Sequence, residues 1–409
     1  MTEPLPLAGV RVLALEQMQA VPFATQLLAR LGADVVKVEP LSGESGRAAQ
    51  PAMIDGSGRR AGATFLRYGS GKRSIAVDLK DPRGRDLVVG LAERFDVLAE
   101  NLGPGRADRL GFGFEALAAR NPRLVYLSIS GFGRGASPYA HWPAYASVAE
   151  AMCGAYEYAR RPNQPPILNP MGGLGDTGTG LFGVIGVLAA LAHRTRTGKG
   201  QLVDIAMLDS MLSISDVVTN FWSMGLRAEP DVERRVPYLL TSFRCEDGWC
   251  VLQVSRPHQF ERLARLLGHD EWLGDERFAD GWGWHDHWPD TIRPAVEEWA
   301  ARFGMRDAAG HLADAGLVAA PCYRAEDVVA DPHVAKRRML VEIPRSDGVE
   351  QPVLVAGNPV KLSAVPELPD QRPPYLGEHT AQLLTDELGL DGSTVTGLAA
   401  EGVVGLPPE

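Results

Sequence analysis

Gly9-Val10-Arg11-Val12-Leu13-Ala14-Leu15-Glu16 is a near-continuous apolar run close to the start of a 409-residue chain, and it reads as a buried strand. A loop from Gln17 to Val21 follows, and Pro22 opens a predicted helix that runs through Leu28 to Leu31 and is closed by Gly32. Proline suits the first helical position, because its missing N–H would have no partner there and its ring presets φ. Asp34-Val35-Val36-Lys37-Val38-Glu39-Pro40 then reads as a second strand. A strand, a helix and a strand at this spacing form a right-handed βαβ unit, and hence a parallel sheet.

The same texture continues outward. Strands are predicted at Ser74–Leu79, Asp96–Glu100 and Leu124–Ser130, with helices over Pro82–Arg94 and Ala107–Arg120. This alternation predicts an α/β fold with a doubly wound, Rossmann-like large domain, whose ligands lie beyond the carboxyl ends of the strands. The dinucleotide fingerprint G-x-G-x-x-G is missing from the first strand–helix turn, which argues against a nicotinamide or flavin. Near residue 220 the pattern changes. Glu229–Pro237 reads as a linker, and Thr241–Arg244 with Trp249–Val254 as a hairpin around Glu246-Asp247-Gly248. Helices at Gln259–Leu267 and Ile292–Phe303 complete a smaller inserted α+β domain. The expected layout is therefore 1–224 for the large domain, 225–330 for the small domain, and 331–409 for a return to the large domain. Pro352–Val360 and a last helix, Thr380–Glu387, belong to that return; the tail after Leu390 has little to bury.

Composition narrows the partners. A net charge of −10 gives no general attraction to nucleic acid or anionic membrane, so a phosphate ligand must be met by local cations. Cys153, Cys245, Cys250 and Cys322 lack metal-ligand spacing and read as reduced thiols. The N-terminus has no basic and apolar leader pattern, and no uninterrupted apolar run reaches the length of a membrane span; a cytoplasmic protein is expected. Trp282-Gly283-Trp284-His285-Asp286-His287-Trp288 holds two histidines and an aspartate, an incomplete metal set, so aromatic packing is expected and no metal. Gly71-Lys72-Arg73-Ser74 precedes a strand and reads as a solvated turn in preference to a phosphate site.

Pro170-Met171-Gly172-Gly173-Leu174-Gly175-Asp176-Thr177-Gly178-Thr179-Gly180 carries five glycines in eleven residues, a turn where backbone can approach a ligand closely. An apolar run follows, from Leu181 to Leu191, and ends in His193-Arg194-Thr195-Arg196-Thr197-Gly198. That is a buried helix with cations in its last turn and glycine beyond its end. Asp176 is thereby placed at the helix N-terminus, where the dipole favours an ionised carboxylate. Such a group is either an ordinary N-cap or a nucleophile.

Taken in order, these segments resemble the class III CoA-transferases, the family of formyl-CoA:oxalate, carnitine and bile-acid CoA-transferases. The resemblance spans nearly the whole chain. Leu7–Leu13, Leu31–Pro40, Lys72–Ile75, Glu100–Gly105, Asn121–Leu124, Gly175-Asp176, Thr197–Gln201 and Leu376–Thr380 carry it. It implies that Asp176 is the covalent nucleophile, passing through an enzyme-bound anhydride and thioester, with glycine N–H groups stabilising the oxyanions. It implies that coenzyme A or acyl-CoA and a carboxylic acid are the substrates, with no permanently bound cofactor. Gln19, Ala20, Lys80, Asn101, Leu102, Gly103 and Arg109 match CoA-contacting positions; Arg47 falls where relatives have a phosphate-facing arginine; Tyr145 matches the tyrosine of an A-Y-E segment. It also implies an interlocked homodimer, with chain crossings near Pro230 and Pro344.

Three departures matter. Asn101-Leu102-Gly103-Pro104-Gly105 replaces the N-F-R-P-G of many relatives, which removes one cation. Ala146 stands where formyl-CoA transferase has an acid, and the glycine-rich loop of oxalate users is missing from 240–265, so oxalate and formate are not favoured. Racemases of the superfamily place a His-Asp pair where this chain has Tyr145-Ala146, so two-base proton transfer lacks a partner. A CoA-binding protein without chemistry, in which Asp176 merely caps, is the alternative from another class.

Overall fold

The computed structural model describes residues 3–135, 137–157, 164–225, 236–369 and 371–407. The chain divides into two compact units, one of Met1–Arg160, Pro165–Arg227 and Arg337–Glu409, the other of Arg161–Gln164 and Ala228–Lys336. Most of the linker read at Glu229–Pro237, with the crossing near Pro230, lies outside the described residues.

The first unit is built on a seven-stranded sheet. Its elements in chain order are β1 (Arg11–Leu15), α1 (Ala20–Arg30), β2 (Asp34–Glu39), β3 (Lys72–Val77), α2 (Pro82–Ala92), β4 (Val97–Glu100), β5 (Val125–Ser130), α3 (Ala146–Met152), α4 (Leu174–Thr197), β6 (Leu202–Ala206) and β7 (Val404–Gly405). The strand order is β7-β3-β2-β1-β4-β5-β6. The six strands from β1 to β6 pair in parallel, with Val12 opposite Val35 on one side and Val97 on the other. The order therefore reverses between β1 and β4, and their carboxyl ends open the crevice where doubly wound sheets hold ligands. Apolar side chains alternate to both faces. Val12, Ala14, Val35, Val97 and Leu127 pack under α1 and α4, and Leu13, Val36, Val38, Leu98 and Tyr126 pack on the opposite face.

Several boundaries differ from the sequence reading. Helix α1 begins at Ala20, so Pro22 occupies its third position, where the N–H is still unpartnered and proline costs no hydrogen bond. The segment after Leu390 is structured: a helix over Gly392–Ala400 leads into β7, which pairs antiparallel with β3 and buries Val395, Val403 and Val404. The edge of β3 offers unpaired backbone groups, and β7 satisfies them. Helix α4 is long and apolar enough, by length and composition, to cross a membrane, although half of its most apolar window is buried inside this unit. It packs on α1 and β5, as a core crossover helix does. Gly71-Lys72-Arg73-Ser74 is no solvated turn, because Lys72 is buried at the start of β3.

The buried charges form one network beside the carboxyl end of β1. Lys72 Nζ donates to Glu16 Oε1 at 2.6 Å, to Thr25 Oγ1 at 2.8 Å and to the Pro22 carbonyl at 2.9 Å. Lys37 Nζ lies 3.1 Å from Glu44 Oε1 and 3.5 Å from Glu16 Oε1. Arg47 closes a fork on Glu39, and Ser74 Oγ donates to Glu39 at 2.7 Å. Burial alone would raise the Glu16 pKa, but Lys72 and Lys37 outweigh it and hold the carboxyl below its usual range. Burial pushes Lys72 down to about 8 against the attraction of Glu16, because one carboxylate serves two lysines.

The second unit has a three-stranded antiparallel sheet in which Trp249–Val254 lies between Leu239–Arg244 and Val318–Pro321. From the Trp282–Trp288 segment, Trp284 enters its core, stacking on Phe260 at 4.8 Å with its Nε1 donating to the Phe278 carbonyl at 2.7 Å, while Trp282 is exposed. No group of three or more His, Cys, Asp or Glu suited to a metal occurs among the described residues.

Removing one member of a buried ionic network leaves its partners charged and dehydrated, at a cost of about 3–5 kcal/mol. Glu16→Ala is expected to lower the unfolding free energy by about that amount in urea titrations. A loss below about 1 kcal/mol would show that the network is dispensable.

Candidate active site

Helix α4 starts one turn earlier than a capping aspartate requires. Its N-cap is Gly173 at φ 71°, and Asp176 is the third residue of the helix. The left-handed conformation at Gly173 would strain any other residue, and a Cβ there would lie 2.9 Å from Gln19 Oε1. Gly175 rests on α3: a Cβ would fall 2.9 Å from Ala146 Cα. Ala146, the departure noted in the sequence, is thus a small residue that lets the two helices meet. Asp176 is not an N-cap, and its side chain is half-buried in the first turn.

Gln19, at the amino end of α1, faces Gly173, while Ala20 is buried with its carbonyl beneath Gly180 of α4. Tyr68, from the helix Ala63–Gly69, is 2% exposed, and its hydroxyl is 3.5 Å from Gln19 Oε1. Burial raises the Tyr68 pKa, Arg67 opposes this, and Asp176 adds to it. Glu150 of α3 reaches α4 from the other side. Its Oε1 accepts the Gly175 N–H at 2.9 Å, and its Oε2 accepts the Tyr156 hydroxyl at 2.7 Å. Gly175 is therefore not free to serve as an oxyanion donor, as the glycine-rich sequence had suggested.

The electrostatics differ from the expectation of a carboxylate kept readily ionised by the helix dipole. Desolvation first, and the charge of Glu150 second, push Asp176 up to about 6. Near neutral pH it is mostly ionised, with a stronger tendency to accept a proton or an acyl group than an exposed aspartate has.

The crevice between β1 and β4 is bridged by Gln17 and Asn101. Gln17 N donates to Asn101 Oδ1 and Asn101 Nδ2 donates to the Gln17 carbonyl, both at 2.9 Å. Leu102 N donates to Glu100 Oε2 at 2.9 Å, and Gly103 lines a cavity of about 230 Å³ together with Glu100, Ser128 and Arg134. Lys80 is exposed on the loop that follows β3, and Arg109 is exposed at the end of the short helix Arg106–Arg109 that follows β4. Tyr145 is 72% exposed immediately before α3. Arg47 does not stand as a free cation: its fork on Glu39 and its stacking 3.8 Å over Phe65 turn the guanidinium inward. Glu150, Tyr68 and Tyr156 went unread in the sequence. For Glu150 there was a signal, a single charge inside the apolar run Ala146-Ser147-Val148-Ala149-Glu150-Ala151-Met152.

The first unit is thus a doubly wound α/β domain with a half-buried carboxylate in the first turn of the crossover helix α4. The family model of CoA-transferase family III matches residues 7–380. The chain is 33% identical over 399 residues to the succinyl-CoA:mesaconate CoA-transferase of Haloarcula hispanica, covering 95% of this chain and 98% of that one. It is 33% identical to the formyl-CoA:oxalate CoA-transferase of Streptomyces avermitilis, covering 97% and 99%. A crystal structure of a CAIB/BAIF family protein from Brucella suis superposes with a TM-score of 0.82 at 32% identity, covering 94% and 100%. The chain belongs to CoA-transferase family III and is a CoA-transferase, acting on CoA thioesters.

A carboxylate whose pKa is raised on folding costs stability when ionised. The cost is absent below the unfolded value of 3.8, grows as pH rises, and is complete above about 6. Asp176→Asn is therefore expected to stabilise the fold by about 1–3 kcal/mol at pH 8, with a smaller gain at pH 5. Urea unfolding at the two pH values checks this, and an equal effect at both would remove the desolvation of Asp176 from consideration.

Proposed function

We propose that this enzyme moves CoA from an acyl-CoA to a carboxylic acid through intermediates on Asp176. The observation that carries the reading is the position of Asp176: a half-buried carboxylate of raised basicity in the first turn of α4, the helix whose N-cap Gly173 meets Gln19. An Asp176 oxygen attacks the thioester carbonyl, the C–S bond breaks, and a mixed anhydride and CoA thiolate result. The thiolate attacks the aspartyl carbonyl, which releases the first acid and leaves an aspartyl-CoA thioester. The acceptor carboxylate attacks that thioester, and the freed thiolate then takes the acceptor's acyl group, restoring Asp176. Anhydride and thioester lie close in energy, so no step is deeply trapped. N–H groups of the first turn other than that of Gly175 are the oxyanion donors.

In this reading CoA lies across the carboxyl ends of the strands. Gln19, Ala20, Asn101, Leu102, Gly103 and Tyr145 line its path, and Lys80 and Arg109 supply phosphate contacts at the rim. Arg47 takes part only by holding the loop after β2. The acceptor is a carboxylic acid, with oxalate and formate not favoured, and the reaction is cytoplasmic. A second copy of the chain completes the assembly. Leu181, Ile185 and Leu188 of α4 are 49%, 60% and 37% exposed on one helical stripe, and a subunit interface would cover them. The interlocked arrangement of the family suits that surface.

Asp176→Ala is expected to abolish transfer while CoA still binds; turnover above about a tenth of wild type would exclude a covalent aspartate. For Lys80→Ala and Arg109→Ala, KM for the CoA donor should rise while kcat changes little, because phosphate contacts bind ground and transition states alike. Equal losses of kcat at constant KM would place both residues elsewhere. Sedimentation at nanomolar concentration should give twice the 44.1 kDa monomer mass, and an active monomer would exclude the linked dimer.

A further inference from the structure

Glu150 takes no part in the scheme above, yet it holds the N–H of Gly175, the residue before Asp176, and its charge acts on Asp176. It is 3% exposed on α3, and its two oxygens accept the Gly175 N–H at 2.9 Å and the Tyr156 O–H at 2.7 Å. No lysine or arginine forms an ion pair with it among the described residues. As a cap for Gly175 alone, a neutral glutamine would serve equally, since its amide carbonyl accepts the same hydrogen bond without burying a charge. The charge itself therefore calls for a target. Asp176 is the neighbouring carboxylate, and its pKa of about 6 reflects burial first and Glu150 second.

We propose that Glu150 is a positioning residue for CoA transfer: it fixes the first turn of α4 through Gly175, and its negative charge makes the Asp176 carboxylate a stronger nucleophile. This rests on the reading of Asp176 as the covalent centre. The two nearby carboxylates repel, and acylation of Asp176 removes one of the two charges. The free carboxylate is thereby raised in energy relative to its anhydride and its thioester, so the step that acylates free Asp176, its attack on the donor thioester, gains. The other groups facing Asp176 do not duplicate this effect. Tyr68, from the helix Ala63–Gly69, stays neutral through the working range because burial raises its pKa, and Gln19 of the β1–α1 loop carries no charge.

The test is the pH profile of kcat/KM, whose acidic limb reports the free enzyme's essential base. In the wild-type enzyme that limb should fall near pH 6. Glu150→Gln keeps the acceptor for Gly175 and removes the charge. It is expected to move the limb downward by about half a pH unit or more and to lower kcat several-fold at pH 8, with CoA still captured on Asp176. A purely structural role would leave the limb in place, and an unmoved limb overturns the proposal. If Glu150→Gln fails to fold, Tyr156→Phe carries the test: it strips one hydrogen bond from the Glu150 carboxylate, leaves more of its charge facing Asp176, and should move the limb upward. No movement there is equally fatal. Peptide mass spectrometry of the wild type keeps the two readings apart. Lack of a CoA adduct on Asp176 would sink the covalent mechanism and this proposal with it, whereas an adduct with an unmoved limb would sink the role of Glu150 alone.

Discussion

Two lysines, Lys37 and Lys72, are dehydrated beside the carboxyl end of β1, and the carboxylates that neutralise them set the geometry of the site. Glu16, which binds both lysines, is the residue at which β1 hands over to the loop carrying Gln17 and Gln19. Glu44 ties Lys37 to the same loop, because its Oε2 accepts the Met18 N–H at 3.1 Å. Met18 is held there at φ 57°, a conformation that a non-glycine residue keeps only where its surroundings enforce it. The network thus pins a strained loop at the point where the strand order reverses. That loop presents Gln17 to Asn101 on one side and Gln19 to Gly173 on the other. A buried ionic cluster contributes little net stability over an apolar one, but breaking it is costly, and in this protein it fixes where backbone and amide groups stand.

The second constraint is close helix approach. Helix α4 reaches the crevice with glycines where its neighbours press close: Gly173 against Gln19, Gly175 against Ala146 and Gly180 against the Ala20 carbonyl. Close packing excludes water from one side of Asp176 and brings Glu150 within reach, so the same contacts that seat the helix raise the basicity of its carboxylate. Packing and reactivity have a common cause.

Much of the large domain was legible in the sequence because its strands are buried on both faces and so appear as apolar runs separated by helical periods. That alternation and the right-handedness of βαβ units predict a doubly wound parallel sheet with ligands beyond its carboxyl ends, whereas β6, at Leu202–Ala206, was not read as a strand. The last turn of the chain was not legible. Val403 and Val404 are too few to signal a strand, and β7 exists only because β3 has an open edge. Charged positions were the least readable. Lys72 looked like a surface lysine and Arg47 like a phosphate ligand, since a sequence does not show that Glu16 and Glu39 will meet them in the interior. Asp176 was found through its glycines and its family motif, but its place as the third residue of α4, and Glu150 opposite it, are set by the packing of two helices distant in sequence.

Transfer through an aspartyl anhydride moves oxygen as well as CoA. Each passage of the acceptor leaves one of its carboxylate oxygens on Asp176, and each passage of the donor carries one away on the released acid. The most direct measurement is turnover with an acceptor acid labelled in both carboxylate oxygens with ¹⁸O, followed by mass analysis of the peptide containing Asp176. Label should appear in that aspartate and then in the acid released from the donor. An unlabelled Asp176 after many turnovers, with CoA fully transferred, would contradict a covalent role for this residue.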